Sequence, residues 1–160
     1  MNLVAKKINS ELFEDFFKLK SDPVNIAWTG FEEPPNKEKL YIWFERQINN
    51  PKRDIFLFYD NNVCVGYSYI DYISEFTIEE SVGVYSEFSG KGFASEITKF
   101  EVDLAIEKGM REIDSWISES NVASIKRLLK FGFEKKTASD ERNLPLLGGI
   151  HKFYLYKKSL

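Results

Sequence analysis

The chain has 160 residues, 43% of them apolar and 29% charged, with a formal net charge of −3. That length supports one domain, residues 1–160, with a sizeable core. The acidic balance excludes a sequence-independent grip on nucleic acid, no run approaches the ~18 apolar residues of a membrane span, and the single cysteine, Cys64, excludes an internal disulfide.

The N-terminus carries Lys6 and Lys7 close to its start, too charged for a secretory signal, and a cytoplasmic location is expected. Residues 3–8 read as a short strand. Asn9 or Ser10 can cap a helix whose apolar face is Leu12, Phe13, Phe16, Phe17 and Leu19. Residues 22–36 read as a loop of about fifteen residues, a length uncommon in compact domains and often functional. It holds Trp28, Phe31, Glu32 and Glu33. A second helix is predicted over residues 37–49, closed by Pro51. Residues 54–59 and 63–73 are strands joined by a turn at Asp60-Asn61-Asn62. Residues 76–85 form a third strand, 92–108 a helix stopped by Gly109, 112–118 a strand and 122–130 a helix. Residues 133–138 and 151–158 close the chain as a strand pair, with a loop over 138–149 between them. A hairpin block followed by β-α-β units argues a mixed α/β fold, one sheet with helices on both faces.

The stretch from Val82 through Gly83 and Val84 to Ser89, Gly90, Lys91, Gly92, Phe93, Ala94 and Ser95 organises the rest. It starts as a strand and ends as a helix, with apolar residues at 93, 97, 100 and 104. A glycine turn opening a helix leaves backbone N–H groups unpaired at the positive end of the helix dipole, which is a cradle for phosphate. A second motif runs from Asn121 and Ser124 through Leu128 to Gly132 and Phe133. Gly132 suits the left-handed residue after a helix, and Phe133 can fold back over the last turn.

Together the two motifs resemble those of the GNAT acetyltransferases, most clearly over residues 63–133. Gly92 and Ala94 match the acyl-coenzyme-A signature Gln/Arg-x-x-Gly-x-Gly/Ala, while Ser89 stands where the family has Gln or Arg. Asn121, Ser124, Gly132 and Phe133 match Asn-x-x-Ala/Ser-x-x-x-Tyr-x-x-x-Gly-Phe, with Leu128 at the tyrosine position. The resemblance implies the GNAT acyltransferase fold, a central mixed sheet of about seven strands flanked by about four helices. It also implies an N-acetyltransferase that moves an acetyl group from acetyl-coenzyme A (acetyl-CoA) to a primary amine, either a small molecule or a peptide N-terminus, with no metal. The ribosomal-protein N-terminal and amino-sugar branches are the relatives toward which it leans. By the same resemblance residues 90–95 hold the pyrophosphate, Val82, Gly83 and Val84 pair with the pantetheine arm, and Asn121 and Ser124 contact it from the next helix. A homodimer is compatible with this reading.

The chemistry then needs a base. A lysine-like amine is less than ~0.1% neutral at pH 7, and an α-amine about 10%. Glu80, four residues before Val84, is the first candidate, with Glu79 on the opposite strand face as the second. Trp28, Phe31 and Glu32 are candidates for acceptor binding. Leu128 has no hydroxyl to protonate a leaving thiolate. His151, the sole histidine, and Cys64 read as structural. Two alternatives stay open. One is a GNAT-fold module that binds coenzyme A without catalysis. The other is a nicotinamide dinucleotide binder, for which residues 90–95 supply Gly-x-Gly-x-x-Ser and Asp114 lies about twenty residues on.

Overall fold

The computed structural model describes residues 2–160. Seven strands form one sheet in the order β1-β2-β3-β4-β5-β7-β6: β1 Leu3–Lys7, β2 Arg53–Asp60, β3 Val63–Tyr72, β4 Thr77–Val84, β5 Glu112–Ser118, β6 Glu134–Leu144 and β7 Gly149–Ser159. Five helices flank it: α1 Phe13–Lys20, α2 Pro23–Trp28, α3 Lys37–Ile48, α4 Phe93–Glu107 and α5 Val122–Lys130. All strand pairs are antiparallel except β4 with β5. The mixed sheet is therefore as expected, with one more helix than the sequence suggested. Among the described residues no helix is long and apolar enough to cross a membrane.

β2 is apolar on both sides because both faces of the sheet are covered. Ile55, Leu57 and Tyr59 pack with Phe13, Phe16, Leu19 and Phe44 of α1 and α3. Phe58, on the other face, packs with Phe93 and Ile97 of α4. A third cluster joins Ile70, Ile78 and Ile113 of the sheet to Ala105 and Leu128 of the helices, sealed by Phe133. The β2–β3 turn is made by Asn61 and Asn62, both at positive φ, as a two-residue hairpin requires.

Two expected loops are in fact ordered elements. Within residues 22–36, Pro23–Trp28 is helical because Asp22 caps it. One carboxylate oxygen accepts from the N–H groups of Val24 and Asn25, and Pro23 occupies the first helical position. Within 138–149, β6 continues to Leu144 after a register shift between Lys135 and Ser139, and a single turn at Pro145–Leu147 leads into β7.

Candidate active site

β4 and β5 pair only over Thr77–Glu79 against Glu112–Asp114. Beyond that point β4 stays bonded to β3 and β5 to β7, so the two strands splay. The facing edge of β4 past Glu79 is left without a strand partner. Two cavities of about 350 and 390 Å³ lie along this opening and share Asn25, Trp28, Val82, Asn121, Ser124 and Arg127 as walls.

At one end stands the glycine turn. Gly92 has φ 86, a left-handed conformation that lets α4 start abruptly with no side-chain cap. The N–H groups of Phe93, Ala94 and Ser95 consequently have no helical acceptor. Ser89, Gly90, Gly92, Phe93, Ala94 and Ser95 all line this cavity with Val82, Gly83 and Val84. A Cβ on Gly90 would meet only open space, so the turn is bare toward the slot. Gly83 is small for another reason: a Cβ there would fall 2.2 Å from the Tyr67 ring. Lys91 is exposed, does not line the cavity, and lies 5.4 Å over the Phe88 ring. Asn121 caps α5, accepting from the Ser124 N–H at 3.3 Å, which leaves its amide N–H₂ for the slot.

At the other end the cavity wall includes Glu80, only 3% exposed. The Ser115 hydroxyl donates to one carboxylate oxygen of Glu80, and the other is buried without a partner. Behind it lies Glu101 of α4, 1% exposed, which accepts from the Ser68 hydroxyl and likewise has one bare buried oxygen. The two buried carboxyl groups are close enough for the charge on one to act on the other. Burial first, and then the Glu80 charge, hold the Glu101 carboxyl well above the usual carboxylate range, with the Ser68 bond and Arg127 opposing.

Glu101 and Arg127 were both missed in the sequence. Glu101 follows Phe93 and Ile97 and precedes Ala105 at four-residue steps, a lone carboxylate in a buried ladder. Arg127 lines both cavities, and its Nε is buried without a partner. Leu128, at the family's tyrosine position, is 0% exposed in the core. Glu79 lies on the opposite strand face and lines neither cavity. Burial, Asp71 and Asp114 push its carboxyl up, while Arg142 opposes.

A larger cavity of about 810 Å³ adjoins the Glu80 end, sharing Thr29, Gly30 and Asn143 with it. Phe31, Glu32 and Glu33 line this space, with Lys20 and Trp43. Trp28, placed by α2, lines the two smaller cavities instead. Its ring meets His151 edge-on at 6.3 Å. His151 joins the Leu147 carbonyl (2.6 Å) to the Ser120 hydroxyl (2.9 Å) and so ties β7 to the loop before α5. Burial pushes the Cys64 thiol up to about 12, which disfavours the nucleophilic thiolate.

The model of the Acetyltransferase (GNAT) family matches residues 20–133. This chain belongs to the GNAT acetyltransferase family. The match starts at Lys20 and ends at Phe133, so it takes in both motifs and also α2 and α3, which the motifs alone did not cover. Comparison with curated proteins returns no match. Among solved structures, the spermidine N-acetyltransferase of Vibrio cholerae, in complex with CoA and spermine, superposes with a TM-score of 0.87 at 14% identity, covering 98% of this chain and 95% of that one. An N-acetyltransferase from Staphylococcus aureus Mu50 gives 0.79 at 23% identity, with 99% of each chain covered. The yncA protein of Salmonella typhimurium, solved with its cofactor acetyl-CoA, gives 0.76 at 19% identity, covering 100% and 95%. These likenesses establish the GNAT fold. The doubly wound parallel sheet on which the dinucleotide reading depends is not what the described strands form, since β4–β5 is their one parallel pair.

Proposed function

We propose that the chain transfers an acetyl group from acetyl-CoA to a primary amine by direct attack of the amine on the thioester. The observation that carries this reading is the opening between β4 and β5, with a helix N-terminus at one end and the buried Glu80 carboxylate at the other. In this reading Phe93, Ala94 and Ser95 offer their N–H groups to the pyrophosphate, as helix N-termini do for anions. The free edge of β4 at Val82, Gly83 and Val84 takes the amide-bearing arm as an added strand, and Asn121 holds it from α5.

Glu80 accepts the proton that the attacking nitrogen loses as the new C–N bond forms and the C–S bond breaks. Ser115 orients the Glu80 carboxylate, and the raised Glu101 carboxyl behind it favours its protonated form, which limits charge repulsion against Glu80. No phenol stands at position 128, and Arg127, which lines both cavities, supplies the cation for the departing thiolate. A guanidinium in a poorly solvated slot stabilises such a developing negative charge.

Thiol release from acetyl-CoA, measured against peptide N-termini, amino acids, amino-sugars and polyamines, tests the reading. Glu80→Gln keeps the hydrogen bond from Ser115 and removes only the ability to take a proton. It should retain acetyl-CoA affinity and lower turnover by about 10²-fold or more. Unchanged turnover would remove Glu80 from the mechanism and leave proximity alone as the source of rate. Tight acetyl-CoA binding with no turnover on any acceptor would mark a coenzyme-A-binding module instead.

A further inference from the structure

Lys20, the last residue of α1, is a cation where the fold gives it no counter-ion. It lines the 810 Å³ cavity. Its ammonium lies 5.0 and 5.5 Å from the ring centres of Tyr67 and Tyr69 and donates to the neutral Tyr67 hydroxyl at 3.4 Å. Among the described residues no carboxylate lies within ion-pair distance of it. The acids that could have served are engaged elsewhere. Asp71 is bound by Arg53 at 2.5 and 3.2 Å. One Asp22 oxygen caps α2, and the other takes the N–H and hydroxyl of Ser86.

Arg53 also sits over this aromatic group, 5.0 Å from the Tyr69 ring centre. Two cations and one carboxylate therefore gather at these rings beside the cavity, and the ring faces offset only part of the imbalance. Burial, and then the Arg53 charge, bring the Lys20 ammonium down to about 8. An anion entering the cavity would complete the arrangement.

We propose that Lys20 is an anion-binding subsite of the acceptor cavity, and that the amine acetylated here carries a carboxylate or phosphate group. The proposal rests on the acetyl-transfer reading above. The acceptor's anionic group docks on Lys20, while its amine reaches the Glu80 end through the shared wall at Thr29, Gly30 and Asn143. The exposed Glu32 and Glu33 at the rim draw in the ammonium end of such a zwitterion. A polyamine would set a second ammonium against Lys20.

The test pairs acceptors that differ only in the anion: an amino acid and its amide, an amino-sugar phosphate and its unphosphorylated parent, with spermidine as the polycation. The anionic member of at least one pair should be turned over with kcat/KM at least tenfold higher, and which pair shows the effect separates carboxylate from phosphate. Lys20→Met should erase that preference through KM and leave acetyl-CoA affinity and turnover of the neutral partner unchanged, while Lys20→Arg should keep part of it. Equal use of both members, a preference for spermidine, or equal loss for neutral and anionic acceptors in Lys20→Met would overturn the proposal.

A second measurement does not need turnover. Acetate and inorganic phosphate should raise the melting temperature of the wild-type protein more than that of Lys20→Met. Phosphate held at the α4 turn is common to both proteins and cancels. No difference between them would overturn the subsite. An intact difference without turnover of any acceptor would instead count against the acetyl-transfer reading alone.

Discussion

Lys20 and Glu101 are two ionisable side chains whose burial works against the fold, and pH exposes each with opposite sign. For Lys20 the folded value, about 8, lies below the ordinary 10.5. Between those values the unfolded chain binds more protons, so stability rises with pH across that window and the full penalty is present below it. Lys20→Met should therefore be more stable than wild type at pH 7, by up to about 3 kcal/mol. The gain should shrink as pH climbs from about 8 toward 10.5. For Glu101 the folded value is raised, so the folded chain binds more protons and wild-type stability falls as pH rises above the ordinary carboxylate value. Glu101→Gln can still accept from Ser68, and its stability relative to wild type should grow with pH from about 4.5 upward. Denaturant titrations at a series of pH values check both. A pH-independent difference for either variant would mean that its charge state is not what burial dictates. Neither residue was legible in the sequence as a site residue. A lysine ending a helix and a glutamate inside one look solvated until the sheet that covers them is in place. Gly92 was legible, because a positive-φ residue before a helix leaves a composition signature that burial does not alter.

At the scale of elements, the strands with apolar faces, β2 to β5, were readable from composition and flanking turns. β6 was readable only in its first part, residues 133–138, since Glu134–Leu144 is almost wholly polar and exposed and shows no alternation before Leu144. Its continuation from Ser139 to Leu144 is identified only by its pairing with β7. α2 is six residues long, too short for a periodic signal, and its one cue was the Asp22-Pro23 cap and first-turn pair. That helix matters because it carries Asn25 and Trp28 to the wall of the slot. The α4 terminus makes its own prediction. Ser95→Asp places a carboxylate in the first turn, where the helix dipole favours it, so the unliganded protein should be as stable as wild type or slightly more so. On the proposed reading the same charge would face the phosphates and should weaken acetyl-CoA binding at least tenfold, as read by calorimetry. Unchanged affinity would put the phosphates elsewhere.

For the molecule as a whole, the decisive property is that one sheet is held together at its base and parted above it. Three residue pairs join β4 to β5, while β3 and β7 hold the outer edge of each strand throughout. The element order of a GNAT domain was legible because hairpins and β-α-β units differ in spacing. The splay was not, because it depends on where pairing stops, and neither strand marks that point. A ligand that fills the opening bridges the two halves of the sheet and should stabilise the folded state accordingly. The most direct measurement is the melting temperature with acetyl-CoA and, separately, with NAD. At a hundredfold excess over Kd, binding adds about 2.7 kcal/mol, which for a chain of this size is roughly 5–10 °C. The account predicts that rise with acetyl-CoA and none with NAD. No shift with acetyl-CoA, or an equal shift with NAD, would contradict it.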